Sequence, residues 1–119
     1  MNPAEKIFHL DEALMETGQT VVIQRPQGQS TPNAFSATAT CRAQVISLPG
    51  FGKKEIILSP TDLANDPNWP EAGVPRVGDT LMPRKTDKAY FNGFQYTIQN
   101  VHPRYSDNVL IRVEIEAAG

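Results

Sequence analysis

The end of the chain carries the pattern that most restricts its fold. Apolar and polar residues alternate with a period of two over residues 109–116, which is typical of a strand with one buried and one solvent-facing side. The apolar face holds Val109, Ile111, Val113 and Ile115, and the other face holds Leu110, Arg112, Glu114 and Glu116. Residues 94–99 repeat the pattern, with Phe94, Tyr96 and Ile98 predicted to face inward. The last third of the chain is therefore predicted to be β-sheet.

Turn-forming residues separate these strands. Asn92-Gly93 is the strongest short hairpin signal in the chain. Pro103 and the polar residues 106–108 predict the next turn, which would include His102. Residues 77–80 predict a turn that leads into a short strand over residues 80–82.

An earlier strand has an unusual inward face made almost only of small residues. That face is predicted to consist of Ala37, Ala39, Cys41, Ala43 and Val45, which alternate with polar residues. Small side chains allow another element to approach closely, which favours a tightly curved sheet or the interior of a barrel.

The chain begins with the signals of an amphipathic helix. Asn2 is a good N-cap, Pro3 suits the first helical position, and Glu5 completes a capping box. Ile7, Leu10 and Leu14 fall on one helical face, with Phe8 and Met15 beside them, and Gly18 follows as a C-terminal cap.

The middle of the chain predicts short strands joined by extended loops. Strands are predicted over residues 20–24 and 55–58, loops over residues 25–36 and 48–54, and a helical turn capped by Ser59 with Pro60 at its first position. Residues 66–76 form an irregular connection that contains Trp69. The sequence therefore predicts one mainly β domain over residues 1–119. We expect a helix over residues 1–18, and over residues 19–119 a small barrel or sandwich of about six or seven short strands with extended loops.

Composition restricts the classes of function. A net charge of −2 and a pI near 5.6 argue against a protein whose main task is to hold phosphates. A single cysteine excludes an internal disulfide. Residues 1–18 carry four carboxylates where a signal peptide needs an apolar run. We therefore expect a protein made in the cytoplasm, or carried out of it as part of something larger, with no membrane contact.

The residues that commonly carry chemistry show no productive spacing. His9 and His102 have no partners at metal-ligand spacing, and Cys41 is predicted to be a packed, inert thiol. The glycines around Phe51 lack the spacing of a phosphate-binding loop. We expect no catalytic residue, no metal and no cofactor, and hence no enzyme.

Apolar and aromatic residues in loops favour a binding or assembly role. Phe35, Phe51 and Trp69 lie in predicted loops. Trp69 is expected to fold back on the core, whereas Phe51, flanked by glycines and followed by two lysines, is expected to contact another chain.

The order of these elements resembles the head closure (stopper, or head–tail joining) proteins of long-tailed bacteriophages. The shared order is a first strand at residues 20–25, Thr-Cys-Arg-Ala at residues 40–43, Ile-Leu-Ser-Pro-Thr-Asp-Leu at residues 57–63, a proline-rich stretch at residues 69–75, a Gly-Asp turn at residues 77–80, Val-x-Pro at residues 101–103, and the last strand at residues 109–116. The loop after Ala43 is shorter than in that family, and residues 84–93 are longer than a tight hairpin.

The resemblance implies a small β-barrel with peripheral helices that assembles as a ring in the virion neck. Its implied partners are other copies of itself, portal and adaptor proteins, tail terminator or tail tube proteins, and packaged DNA that passes without sequence-specific binding. The isolated chain could remain a monomer. The candidate channel-facing or partner-facing loop residues are Gln27, Gln29, Asn33, Phe35, Pro49, Phe51, Lys53 and Lys54. The longer segment is a candidate contact arm with Lys85, Lys88, Tyr90 and Phe91.

Two alternatives stay open at this point. A tail or baseplate component would share the fold and differ only in its partner. A nucleic-acid-binding barrel of the oligonucleotide-binding type would use aromatic residues as a stacking platform beside basic ones. The residues for such a platform are Tyr90, Phe91, Phe94, Tyr96 and Tyr105, with Arg84, Lys85, Lys88 and Arg104.

Overall fold

The alternating segments of the sequence form the wall of one closed antiparallel barrel. The computed structural model describes residues 1–27, 34–50, 52–76 and 78–119. Its elements are α1 (Pro3–Thr17), β1 (Gln19–Pro26), β2 (Phe35–Ser47), β3 (Lys53–Leu58), α2 (Pro60–Asn65), a 3₁₀ turn (Gly78–Leu81), β4 (Lys88–Phe91), β5 (Phe94–Ser106) and β6 (Val109–Ala118). Within these residues the six strands close in the order β1-β2-β3-β6-β5-β4. The predicted mainly β fold with an N-terminal helix is confirmed.

The barrel interior is a packed core. Ala37, Ala39, Cys41 and Ala43 of β2 are buried, as the small-residue pattern predicted. Larger residues of the other elements fill the space opposite them: Val21, Ile23, Ile56, Leu58, Leu63, Trp69, Ile98, Val113 and Ile115. Because β2 contributes almost no volume, a six-stranded barrel of small radius closes around these side chains without leaving a channel.

The inward faces predicted for β5 and β6 are confirmed in the middle of each strand. Val113, Ile115 and Ile98 are buried. Phe94 is 68 % exposed and Val109 is 44 % exposed, so both predictions of burial are wrong. Each of these residues is the first of its strand and sits beside a hairpin turn, beyond the end of the packed core.

Two tight turns connect the last three strands. Asn92 and Gly93 both have positive φ (52° and 81°), as a type I′ turn requires, and the predicted hairpin is confirmed. Asp107 and Asn108 form the second such turn, with φ of 51° and 64°. The sequence placed that turn too early, because His102 and Pro103 lie inside β5. Proline is tolerated there because, in the part of the chain that the structure describes, this half of β5 pairs only with β6 and its other edge is unpaired.

Helix α1 packs across the outside of the barrel against β6 and β2. The capping box is present: Asn2 Oδ1 accepts from Glu5 N at 2.8 Å, and Glu5 Oε1 accepts from Asn2 N at 3.3 Å. Leu14 is the buried residue of the helix. The side chain of Asp11 accepts a hydrogen bond from Thr61 of α2 at 2.8 Å, which joins the two helices.

Gly18 ends α1 through close backbone contact. Gly18 is the C-cap as predicted, but its φ of −78° is ordinary, so it does not adopt the left-handed conformation that usually favours glycine at a helix end. A Cβ at this position would lie 2.5 Å from the Leu14 carbonyl oxygen and 2.9 Å from that of Ala43. The glycine is therefore needed for the helix to approach β2 closely.

We expect Gly18→Ala to lower the free energy of unfolding by about 1–3 kcal/mol, the usual cost of overpacking a tight site. The three atoms nearest the new methyl group all belong to the backbone, which cannot rotate away as a side chain would. Urea unfolding followed by circular dichroism measures the change. An alanine variant as stable as the wild type would contradict this packing account.

Helix α2 and the segment after it cover the exposed edge of β2. Since β3 ends opposite Ala43, residues 37–42 of β2 have, among the described strands, a neighbour on one side only, which is β1. Their outward N–H groups bond elsewhere: Thr38 N to Asn68 O (3.1 Å), Thr40 N to Asp66 Oδ2 (2.9 Å) and Arg42 N to Asp62 Oδ2 (2.8 Å). The carboxylates thus take the place of a missing strand and protect the edge.

The rest of this connection differs in part from the sequence prediction. Ser59 caps α2 and Trp69 is fully buried, both as predicted. The strand expected over residues 80–82 is wrong, because residues 78–81 form a 3₁₀ turn. In this turn the carbonyl oxygen of Leu81 accepts a hydrogen bond from the Trp69 indole N–H at 2.7 Å.

The loop predicted over residues 25–36 is shorter than expected. Strand β1 extends to Pro26 and β2 begins at Phe35. Arg25 therefore belongs to the barrel wall, where it continues the inward-facing series of Val21 and Ile23.

The two ends of the barrel are built differently. In an antiparallel barrel successive turns alternate between the ends. The β2–β3 turn, the Asn92-Gly93 turn and the C-terminal Gly119 meet at one end, which we call the open end. The β1–β2 loop, α2, Trp69 and the Asp107-Asn108 turn meet at the other, which we call the capped end.

Candidate interaction surfaces

The two candidate loops lie at opposite ends of the barrel. Gln27 is exposed at the capped end, where its N–H donates to Ala34 O at 2.9 Å and closes the base of the loop. Phe35 is half-buried and lines a cleft of about 450 Å³ between the start of β2 and residues 67–76. Pro49 is exposed in the β2–β3 turn at the open end. The two loops therefore face different neighbours in any assembly.

Three of the predicted loop residues lie outside the described residues. These are Gln29, Asn33 and Phe51. The expectation that Phe51 contacts another chain stays a prediction.

The two lysines assigned to the second loop belong to strand β3. Lys53 is exposed and pairs with Ala118, while Lys54 is half-buried and pairs with Ala117. Lys54 Nζ donates to Ser47 Oγ across the hairpin at 2.8 Å. The predicted loop is thus shorter than residues 48–54, because the strand register continues through both lysines.

The predicted contact arm is part of the barrel wall. Lys88, Tyr90 and Phe91 lie in β4, which pairs with β1 and β5 and so closes the barrel. Phe91 points inward and stacks on Tyr96, with ring centroids 4.5 Å apart. Lys85 alone stays in an exposed connection before the strand. The segment is long because it supplies a closing strand.

A buried ionic cluster that was not predicted from the sequence holds the capped end together. Arg25 donates to both oxygens of Asp87 at 3.2 and 3.0 Å and to Glu71 at 2.8 Å. The guanidinium lies 4.4 Å from the ring centroid of Trp69, in cation–π contact. The side chains of Arg25 and Asp87 are only 6 % and 3 % exposed. One arginine thus ties β1 to two separate connecting segments.

The pairing within this cluster favours the charged forms of Arg25 and Glu71. Burial alone would lower the pKa of Arg25, but the hydrogen bonds and the charge attraction to Asp87 and Glu71 together outweigh that effect and raise the pKa. The hydrogen bond from Arg25 lowers the pKa of the Glu71 carboxyl against the smaller opposing effect of burial. Groups held in their charged forms in this way stabilise structure and are poor proton donors or acceptors near neutral pH.

A signal for this cluster was present in the sequence. Arg25 follows Val21 and Ile23 at the inward positions of a period-two pattern. A charged residue in such a position needs a buried partner. What the sequence could not supply was the identity of the partners, which lie 46 and 62 residues away along the chain.

The residues that commonly carry chemistry are dispersed. His9 pairs with Glu12 at 3.5 Å on α1, and His102 pairs with Glu116 at 3.6 Å across β5 and β6. Cys41 is buried as predicted, and burial, with the nearby Asp62 and Asp66, raises the pKa of its thiol. Among the described residues no group of three potential metal ligands comes together. In the same residues no helix is long and apolar enough to cross a membrane.

The aromatic residues suggested for nucleic-acid stacking do not share one surface. Phe91 and Tyr96 stack on each other on the inward side. Phe94 lies at the open end, whereas Tyr105 lies at the capped end, where its hydroxyl donates to Asp79 at 2.8 Å. Tyr105 follows Phe94 by eleven positions along β5, roughly 35 Å of extended chain. Phe94 and Tyr105 are therefore too far apart to stack successive bases of one short strand.

Comparison of the chain with protein-family models, curated proteins and solved structures gives no match.

Proposed function

We propose that this chain is a structural protein of the neck of a long-tailed bacteriophage. It assembles as a ring between the portal and adaptor proteins and the tail, closes the DNA exit channel after packaging, and provides the surface to which the tail attaches. The observation that carries the proposal is the agreement between the order of the sequence motifs and the fold. The motifs that resemble head closure proteins occur in order along the chain, and the chain forms the small closed β-barrel with peripheral helices that the resemblance implies.

The motif residues also act on one another. Thr40 and Arg42 belong to the Thr-Cys-Arg-Ala motif, and their backbone N–H groups are bound by Asp66 and Asp62. Asp62 lies in the Ile-Leu-Ser-Pro-Thr-Asp-Leu motif, and Trp69 begins the proline-rich stretch and fills the core. The motifs are thus parts of one structural unit, which supports treating their order as a single signal.

The packed interior determines where a channel would lie. Because side chains fill the barrel, DNA could pass only through a hole between copies of the chain. The two candidate loops lie at opposite ends of each barrel, so a ring could present one loop toward the portal side and the other toward the tail. Retention of DNA would be mechanical, with an ordered loop blocking the channel and moving aside when the tail signals. A net charge of −2 suits a wall past which DNA slides without binding.

Purification of the tagged chain from host cells that carry the phage tests the proposal. We expect portal and adaptor proteins by mass spectrometry, and DNA-filled heads with a ring at one vertex by electron microscopy. A matched culture that expresses the tag on an unrelated barrel protein controls for nonspecific capture. Recovery of tail proteins alone would move the protein to the tail or baseplate. Nuclease-sensitive nucleic acid as the only partner would overturn the proposal.

A further inference from the structure

The outward side of helix α1 carries apolar side chains that the fold leaves uncovered. Phe8 is 60 % exposed and Met15 is 70 % exposed. They are seven residues apart and therefore lie on one helical face, two turns from each other. Together with Asp11, Glu12 and Glu16 they line a shallow groove of about 310 Å³. We call this surface the acidic helix face.

Charge restricts what could cover the acidic helix face. Helix α1 contains four carboxylates against one lysine, Lys6, and that ammonium donates to Ser106 Oγ at 2.9 Å. Glu5, Asp11 and Glu12 have partners within the chain, in Asn2, Thr61 and His9. The helix still carries more negative than positive charge, so it attracts a basic surface and repels an acidic one. The complementary surface therefore combines apolar or aromatic side chains with basic ones.

Such a surface lies on the opposite side of the same barrel. Helix α1 packs on β2 and β6, the two strands on either side of β3. In the closed circle of six described strands, β4 lies opposite β3 and therefore on the side away from the helix. The outward residues around β4 are Val22, Gln24, Lys88, Tyr90 and Gln95. We call this surface the β4 face.

The β4 face has the composition that the acidic helix face requires. Tyr90 is 42 % exposed and pairs in register with Val22 of β1. Lys88 supplies positive charge, with its Nζ 2.9 Å from Thr97 Oγ1, and the exposed Lys85 precedes it in the chain. Strands β1, β4 and β5 contain neither aspartate nor glutamate. No carboxylate of these strands therefore opposes an incoming acidic helix.

We propose that the acidic helix face of one chain docks on the β4 face of a second copy, with Phe8 and Met15 against Tyr90 and Val22, and Glu12 and Glu16 near Lys88 and Lys85. The two faces lie on opposite sides of one chain, so the contact is head-to-tail and generates a ring when its rotation closes. Met–aromatic contact and opposite charge stabilise it. The inference rests on the proposed function only in taking the assembly to be a ring; the contact itself follows from the two surfaces.

Two double variants test this contact in the isolated protein. The helix variant carries Phe8→Ser and Met15→Ser, and the β4 variant carries Tyr90→Ser and Lys88→Glu. Sedimentation velocity over a range of concentrations measures self-association, and circular dichroism checks folding. We expect each variant to self-associate at least about tenfold more weakly than the wild type, since exposed aromatic anchors dominate such contacts. Ile46 is also exposed but lies on neither face, so Ile46→Ser is expected to leave self-association unchanged.

Mixing the two variants gives the decisive readout. The helix variant retains an intact β4 face, and the β4 variant retains an intact helix face, so a head-to-tail contact predicts a one-to-one heterodimer that grows no further. A mixture that stays monomeric while the wild type associates overturns the proposal. A wild-type chain that is monomeric at about 1 mM also overturns it, since association weaker than that would not sustain an assembly.

The outcome is separable from that of the proposed function. Heterodimer formation without capture of neck proteins from infected cells leaves the contact standing and removes the neck assignment. Capture of portal and adaptor proteins by both variants, together with a monomeric mixture, supports the neck assignment and rejects the contact.

Discussion

Replacing Arg25 with alanine is expected to lower the free energy of unfolding by about 3–5 kcal/mol. The substitution leaves the Asp87 carboxylate, 3 % exposed, without the guanidinium that bonds both of its oxygens. A buried charge that loses its partner is far more costly than a lost surface ion pair. Glu71 and the face of Trp69 lose the same cation. Urea unfolding, followed by the fluorescence of the single tryptophan beside the mutated site, measures the change.

Arg84→Ala is the matched control for this prediction. Arg84 is 61 % exposed and approaches the other oxygen of Glu71 at 3.4 Å. An exposed ion pair of this kind contributes about 0–1 kcal/mol. Equal losses of unfolding free energy in the two variants would contradict the conclusion that the buried cluster stabilises the capped end. A loss below about 1 kcal/mol for Arg25→Ala would contradict it as well.

Replacing Trp69 with alanine is expected to lower the free energy of unfolding by about 3–5 kcal/mol. The indole is fully buried in the core cluster and donates to the Leu81 carbonyl oxygen at 2.7 Å. The variant leaves a large cavity under residues 66–87 and a carbonyl without its partner. Circular dichroism under urea measures the loss, because the variant has no tryptophan to report by fluorescence.

Trp69→Phe separates packing from hydrogen bonding. The phenyl ring keeps much of the buried area and loses the donor to Leu81, so we expect a smaller loss than for alanine, of about 1–3 kcal/mol. A phenylalanine variant as damaged as the alanine variant would assign the whole effect to the hydrogen bond. An alanine variant as stable as the wild type would show that residues 66–87 do not depend on the buried Trp69 indole.

Local chemistry allowed the sequence to predict several elements. The capping box of Asn2 and Glu5, the turn at Asn92-Gly93 and the Ser59 cap each depend on residues within a few positions of one another. The small inward face of β2 was predictable for the same reason, because side-chain alternation is a property of the strand itself. The closed curvature of the sheet followed from that face.

The candidate surfaces were only partly predictable. Pro49 and Gln27 were correctly placed in loops, whereas Lys53 and Lys54 continue a strand and Phe91 faces the core. Strand β4 is short, and it is defined by pairing with β1, more than sixty residues earlier in the chain. Sequence alone shows no such long-range pairing, so its residues resembled an exposed arm.

The class of fold, the helix at the start, the tight turns and the small interior face were predictable from the sequence, because each depends on neighbouring residues and on which side chains avoid water. Which distant residues meet depended on the three-dimensional fold. It joined Arg25 to Asp87 and Glu71, used Asp62 and Asp66 to complete the edge of β2, and placed α1 opposite β4. These contacts depend on how the barrel closes, since closure brings distant segments together and decides which surfaces stay uncovered.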